Sequence, residues 1–496
     1  MRVSEYFGID RKQSELDFVD VDVIKDTPVY IDPSCIRWLS DDWSEQCNIM
    51  LTTYFDSLLD AVRQGDRERT LDLLAKLREP NETHLGISKG KSAGRALGAK
   101  SIRTLGDKLA ESRAAQTGLI EDLEDTALFI DGVGRDVISD ITTNILRGTL
   151  INYTQSVSRF YDIPTEEVPS GFVWDPSRQE WEEDYTELPT SESGKLLLVP
   201  KVIVRNGLHL KKDEFLRNYL VPTLIDEELD NPSSKLVQTV KEGDRTLRKV
   251  NPEDVIEHYG MSKEDVNRLS VERPELVFRY RETKKKSRSL PLGHSALASA
   301  TNSDDIDYDE LLRAVIETPT GFDHAHDYHD RVESLLSALL YPELSFPTKE
   351  EKLHNGRKRV DIQYTNTSQR GFFSWLIDHR IPSRYIFVEC KNYERDLGNP
   401  ELDQISSRFS PLRGKVGLLV CREFKEKELF LKRCRDTALD HRGYIIVLDD
   451  SDLAVLVDDA KRASTPPRER KKLGIKGGEK IWEFPRIRAR FNDLVS

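Results

Sequence analysis

The run RYIFVECKNY (384–393) ends an apolar, strand-like stretch with Glu389 and Lys391. Side chains alternate along a strand, so these two project to one side while Val388 and Cys390 point to the other, toward a buried layer. An acid and a base at the end of a buried strand carry a solvation cost unless they pair or line a cleft. A second strand-like segment, RKRVDIQYT (357–365), holds Asp361 between Val360 and Ile362. If the two strands are neighbours, Asp361 and Glu389 approach closely, and adjacent carboxylates repel unless a cation lies between them. Oxygen ligands of this kind suit Mg²⁺, which takes one or two carboxylates with water and substrate phosphate. Such an ion lowers the pKa of a bound water and neutralises charge as a phosphodiester breaks. Lys391 is then placed to stabilise the attacking hydroxide or the developing phosphorane charge.

These residues need elements to hold them. A helix over HDYHDRVESLLSALLYPEL (326–344) has Val332, Leu336, Leu339 and Leu340 on one stripe, with Glu333 at its edge, facing the expected sheet. After the Glu389 strand come a helix through LDQISSRFSPL (402–412), a strand KVGLLVCR (415–422), a helix KEKELFLKRCRDTALDHR (425–442) and a strand YIIVLDD (444–450). Strands alternating with helices predict a sheet with helices on its faces. The segment between the two strands contains Phe372, Phe373 and Trp375, which read as core-packing aromatics.

The pieces YHDRVESLL, GRKRVDI and FVECKNY, followed by LDQISSRF, resemble the PD-(D/E)xK, or restriction-endonuclease-like, nuclease superfamily over about residues 320–455. The resemblance implies an α/β/α domain with a central mixed sheet. It makes Asp361 and Glu389 metal ligands with the Cys390 backbone carbonyl as a third, and Lys391 the catalytic lysine. Glu333 becomes the helix acid and Gln404 a polar residue facing the active site. It further implies Mg²⁺, with Mn²⁺ as a substitute, and DNA as substrate, with RNA not excluded. The layout is similar to bacterial restriction and anti-phage defence nucleases. Cutting both strands of a duplex needs two active sites, so a homodimer or larger homo-oligomer is expected. The segment TNTSQRGFFSWLIDHRIPS (365–383) between the two carboxylates is longer than the hairpin many members use.

At 496 residues the chain predicts several domains in a multidomain α+β arrangement. Residues 1–160 read as a mainly helical domain with a strand-like piece at 18–32, and 161–280 as a small mixed α/β region. Residues 281–310 read as a linker, 311–460 as the nuclease-like domain, and 461–496 as a basic tail. Within 161–280, the acidic stretch 162–192 reads as a loop or hairpin insertion, and 196–204 as a strand. Net charge is −13, yet residues 461–496 hold eleven Lys/Arg against four acids, and local charge governs phosphate contact more than the total does. Five scattered cysteines without a CxxC pair suggest neither a zinc site nor a disulfide framework. No apolar run approaches the roughly 20 residues that span a bilayer, so no membrane association and a cytoplasmic location are expected.

Three features imitate sites. GISKGKS (86–92) lacks the spacing and preceding strand of a phosphate-binding P-loop, and reads as a loop between helices. His324, His326 and His329 lack a fourth zinc ligand at suitable spacing and read as solvated or capping residues. IDGVGRDVISD (130–140) reads as a turn into a capped helix rather than a calcium loop. Two other functions stay open: a catalytically silent nuclease fold that binds nucleic acid, and a scaffold dominated by the N-terminal region.

Overall fold

In the computed structural model of the chain, residues 1–87, 99–242, 245–353, 358–393, 397–423, 426–465, 468, 472 and 481–496 are described. They form a mixed α/β molecule with two principal hydrophobic cores. One is built from residues 3–297 together with Tyr341, the other from residues 308–494. Among the described residues no helix is long and apolar enough to cross a membrane. All five cysteines are buried and free.

Helices dominate the first core. Helix α1 (Asp42–Gln64) starts where the Asp41 carboxylate accepts the Ser44 N–H, and ends at Gly65 in the left-handed region. Tyr54, Phe55, Leu58, Leu59 and Val62 recur at helical spacing on its buried side. The helical run 138–161 breaks at Leu146 into α2 (Arg135–Ile145) and α3 (Arg147–Phe160). The acidic stretch 162–192 forms short antiparallel pairs and anchors itself through Trp174, which is 1% exposed.

Two apolar stretches expected as strands take another form. Residues 18–32 contribute only Tyr30–Ile31 as a strand, paired with Val204–Arg205, and 201–203 form a 3₁₀ turn. Side chains supply part of the missing ladder. Gln13 donates from Nε2 to the Phe18 carbonyl at 2.9 Å, and its Oε1 accepts the Asp20 N–H at 2.8 Å.

The stretch 281–310, expected as a linker, is helical over 281–286, 294–301 and 308–310, with non-helical connections between. It contains the end of α4 (Pro274–Lys286), all of α5 (His294–Thr301) and the start of a helix over Tyr308–Glu317. Leu297, Ala298 and Thr301 are buried, and His294 Nε2 lies 2.9 Å from the Ala338 carbonyl. A helix that touches its neighbours on one face needs few large apolar residues, so its composition looks like a loop's.

The second core surrounds a five-stranded mixed sheet. Strands β1 (Leu344–Leu353), β2 (Lys358–Asn366), β3 (Tyr385–Lys391), β4 (Val416–Cys421) and β5 (Tyr444–Leu448) lie in that order. The pairs β1–β2 and β2–β3 are antiparallel, β3–β4 and β4–β5 parallel. Every residue of β4 is buried, as expected of a parallel strand covered on both faces. Helix α6 (Ala325–Leu340) packs against β1 and β3. Helix α7 (Gly371–Asp378) occupies the β2–β3 connection, with Phe372 and Phe373 fully buried. Then follow α8 (Asn399–Ser406), α9 (Lys427–Leu439) and α10 (Asp450–Ser464). Gly443, at φ +126°, permits Phe409 to sit where a β-carbon would lie 2.1 Å from its ring.

This unit runs past residue 460. Helix α11 (Pro485–Val495) packs on β5 and α9 and buries Ile487, Phe491 and Leu494, so part of the expected basic tail is core. Its cations are used internally: Arg486 and Arg490 pair with Asp452, and Arg488 with Glu483. Residues 466, 467, 469–471 and 473–480 of that tail, and 88–92 of GISKGKS, lie outside the described residues.

Candidate active site

The β2–β3 register sets the site. Ile362 stands opposite Val388, so one step further along the antiparallel pair brings Asp361 beside Glu389. The connecting segment does not prevent this pairing, because α7 folds it against the core. Ile362, Tyr364, Ile386, Val388 and Cys390 belong to the second core, whereas Phe387 packs on the other side against Tyr385 and Phe409. Strand alternation therefore places Asp361, Glu389 and Lys391 on the Phe387 side.

Glu389 is fully buried and Lys391 is 8% exposed. Lys391 Nζ donates to Glu389 Oε1 at 2.7 Å and to Gln404 Oε1 at 3.0 Å. Gln404 Nε2 donates to the same Glu389 oxygen, so α8 closes a three-residue ring over the strand end. Arg408 NH2 lies 3.3 Å from Glu389 Oε2, but among the described residues that oxygen accepts no hydrogen bond. Asp361 Oδ2 accepts the Cys390 N–H at 2.8 Å, and His329 Nε2 on α6 stands 3.8 Å away.

The electrostatics follow from this crowding. Burial, with the Asp361 charge second, holds the Glu389 carboxyl above its usual range despite Lys391 and Arg408. Burial works against the Lys391 charge, but Glu389 and Asp361 outweigh it and raise the ammonium's pKa. A carboxyl crowded by a neighbouring carboxylate, with an orphaned buried oxygen of its own, is the kind of donor set a hard divalent cation would satisfy. Among the described residues no group of three His, Cys, Asp or Glu side chains is arranged to hold an ion. Mg²⁺ requires only one or two carboxylates beside water, so Asp361 and Glu389 fit it.

Of the sequence-derived candidates, Asp361, Glu389, Lys391 and Gln404 come together, and Cys390 joins through its backbone. Glu333 does not join their hydrogen-bond network among the described residues. It is fully buried, accepts from Ser337 Oγ at 2.7 Å, and its Oε2 lies 3.1 Å from Arg11 NH2. Arg11 belongs to the N-terminal region and also donates to the Asp330 carbonyl at 3.2 Å. His329 and Arg408 are additional site residues. Helical spacing offered a signal for each, since His329 precedes Glu333 by four residues and Arg408 follows Gln404 by four. His324 and His326 stay near Asp327 and Asp330 on the same helix.

A family model described as a domain of unknown function (DUF8370) matches residues 8–211, inside the first core and short of the Asp361–Lys391 segment. No curated protein and no solved structure matches the chain significantly.

Proposed function

We propose that the C-terminal unit is a metal-dependent nuclease of the PD-(D/E)xK kind that hydrolyses phosphodiester bonds of DNA. The observation that carries this reading is the convergence of Asp361, Glu389 and Lys391 at one strand end, with a buried Glu389 oxygen that accepts no hydrogen bond among the described residues. Asp361 and Glu389 would hold Mg²⁺ or Mn²⁺, with the Cys390 carbonyl as the third ligand that the resemblance implies. The ion, when bound, supplies a more acidic water and neutralises charge on the phosphate.

The chain's own residues do the rest. The Cys390 N–H fixes the Asp361 carboxylate, while Gln404 and Arg408 hold Glu389 from the α8 side. Lys391 keeps its proton near neutral pH and offers a fixed positive charge to the reacting phosphate oxygens. The N-terminal region would gate or position this unit, a role that its tie to α6 through Arg11 supports. A homo-oligomer would supply the second active site that duplex cleavage requires, and restriction or anti-phage defence fits the similar layout of bacterial nucleases.

The test is cleavage of supercoiled plasmid with Mg²⁺ or Mn²⁺, beside Asp361→Ala and Lys391→Ala. Metal-dependent nicking that both variants lose is the expected result. Equal cutting by all three proteins would assign the activity to a contaminant and remove the proposal's support.

A further inference from the structure

A second cleft lies away from the sheet, within the N-terminal region. It encloses about 630 Å³, within the span of small-molecule sites. Among the described residues six cations line it (Arg135, Arg205, Lys211, Lys212, Lys263 and Lys284) and no carboxylate does. Among the described residues, only Lys284 of these six has an acidic partner within ion-pair distance, Glu214 at 2.8 Å.

Backbone carbonyls hold four of the other five without neutralising them, Arg135 NH1 donating to the Asn206 carbonyl at 3.4 Å. Arg205 NH1 donates to the carbonyls of Val202 and Val204 at 2.9 and 2.8 Å, and its NH2 to Ser289 at 2.9 Å. Lys212 Nζ donates to the Met261 carbonyl at 3.1 Å, and Lys263 Nζ to those of Ile130 and Val133. Arg205 is 3% exposed, yet its Nε has no hydrogen-bond partner. Burial, with the Lys212 charge next, pushes the Lys263 ammonium down to about 8, against the weaker opposing pull of Asp131.

The backbone adds to this field. Gly134 is the N-cap of α2 and carries no side chain to satisfy the first amides, and Gly134 and Arg135 both line the cleft. The uncapped N–H groups and helix dipole favour an anion there. Leu208, Leu210 and Leu290 add apolar surface to the lining.

We propose that this cleft binds a small, multiply charged phosphate compound, of the class of nucleoside triphosphates and polyphosphates. Five cations without carboxylate partners match several phosphate charges better than one, and the leucine surface suits an attached organic group. A concave cleft of this volume encloses a compact ligand. An extended nucleic-acid backbone would instead call for a groove that tracks it.

The test is calorimetric titration of the full chain, in EDTA to silence the Asp361–Glu389 site, with ATP, pyrophosphate, inorganic phosphate and a short single-stranded oligonucleotide. Lys211→Ala and the double variant Lys211→Ala with Lys212→Ala are compared, with thermal unfolding confirming their fold. The expected result is saturable binding of ATP or pyrophosphate that weakens with salt and falls about tenfold or more in the double variant. Absence of polyphosphate binding, or equal affinity in folded variants, overturns the proposal. Oligonucleotide binding without ATP or pyrophosphate binding overturns it too and assigns the cleft to nucleic acid.

Discussion

Two buried carboxylates in the second core meet two cations each, yet their surroundings differ. Asp452, near the start of α10, is completely buried between Arg486 and Arg490, and its Oδ2 accepts the Asp449 N–H at 3.2 Å. Both of its oxygens are engaged, and they tie α11 to α10. Glu389 meets Lys391 and Arg408, but Asp361 stands beside it and one of its oxygens accepts no hydrogen bond among the described residues. A satisfied ion cluster holds a fold together, whereas a crowded and incompletely satisfied one stores the potential to bind something else.

The sharpest way to break this contrast is to remove each acid. Asp452→Ala leaves the buried Arg490 guanidinium and the half-buried Arg486 uncompensated and should destabilise the protein by about 3–5 kcal/mol, read from urea midpoints. A loss below about 1 kcal/mol would show the cluster to be incidental. Lys391→Ala should instead lower metal-dependent cleavage by about a hundredfold or more with a smaller stability change, seen in single-turnover rates.

Arg11→Ala probes the contact between the regions. Removing the guanidinium leaves Glu333 buried with Ser337 alone, which should destabilise the protein by about 2 kcal/mol. If N-terminal gating runs through this contact, the cleavage rate should change as well, and an unchanged rate would make Arg11 purely structural.

The smallest effect concerns pH. A carboxyl whose pKa is raised on folding binds its proton more tightly in the native state. The Glu389 contribution is therefore fully present below the unfolded value near 4.5 and is lost as pH rises through the folded one. Asp361→Asn removes one cause of the rise, so stability measured from about pH 4 to about pH 8 should fall less steeply than in the wild type. Identical slopes would mean that the two carboxylates do not interact.

The site was more legible in the sequence than the fold around it. Alternation fixed the facing of Asp361, Glu389 and Lys391, because a strand's period of two leaves no choice once Val388 and Ile362 are buried. Strand β1 escaped notice because LSFPTKEEKL is a charged edge strand, and edge strands need not be apolar. Residues 18–32 misled in the opposite sense. Their Val and Ile alternation reflects burial, while side chains such as Gln13 take over hydrogen bonds a ladder would provide. The Arg11–Glu333 contact joins distant parts of the chain, and no local pattern announces such a pair.

The proposed cation site lies at Asp361 and Glu389 and not at Asp452. Mn²⁺ binding to the full chain, followed by electron paramagnetic resonance, tests this without knowledge of the substrate or an activator. Wild type and Asp452→Asn should bind the ion alike if the latter folds, and Asp361→Asn should lose the binding. Equal binding by wild type and folded Asp361→Asn, or none by the wild type, would contradict it.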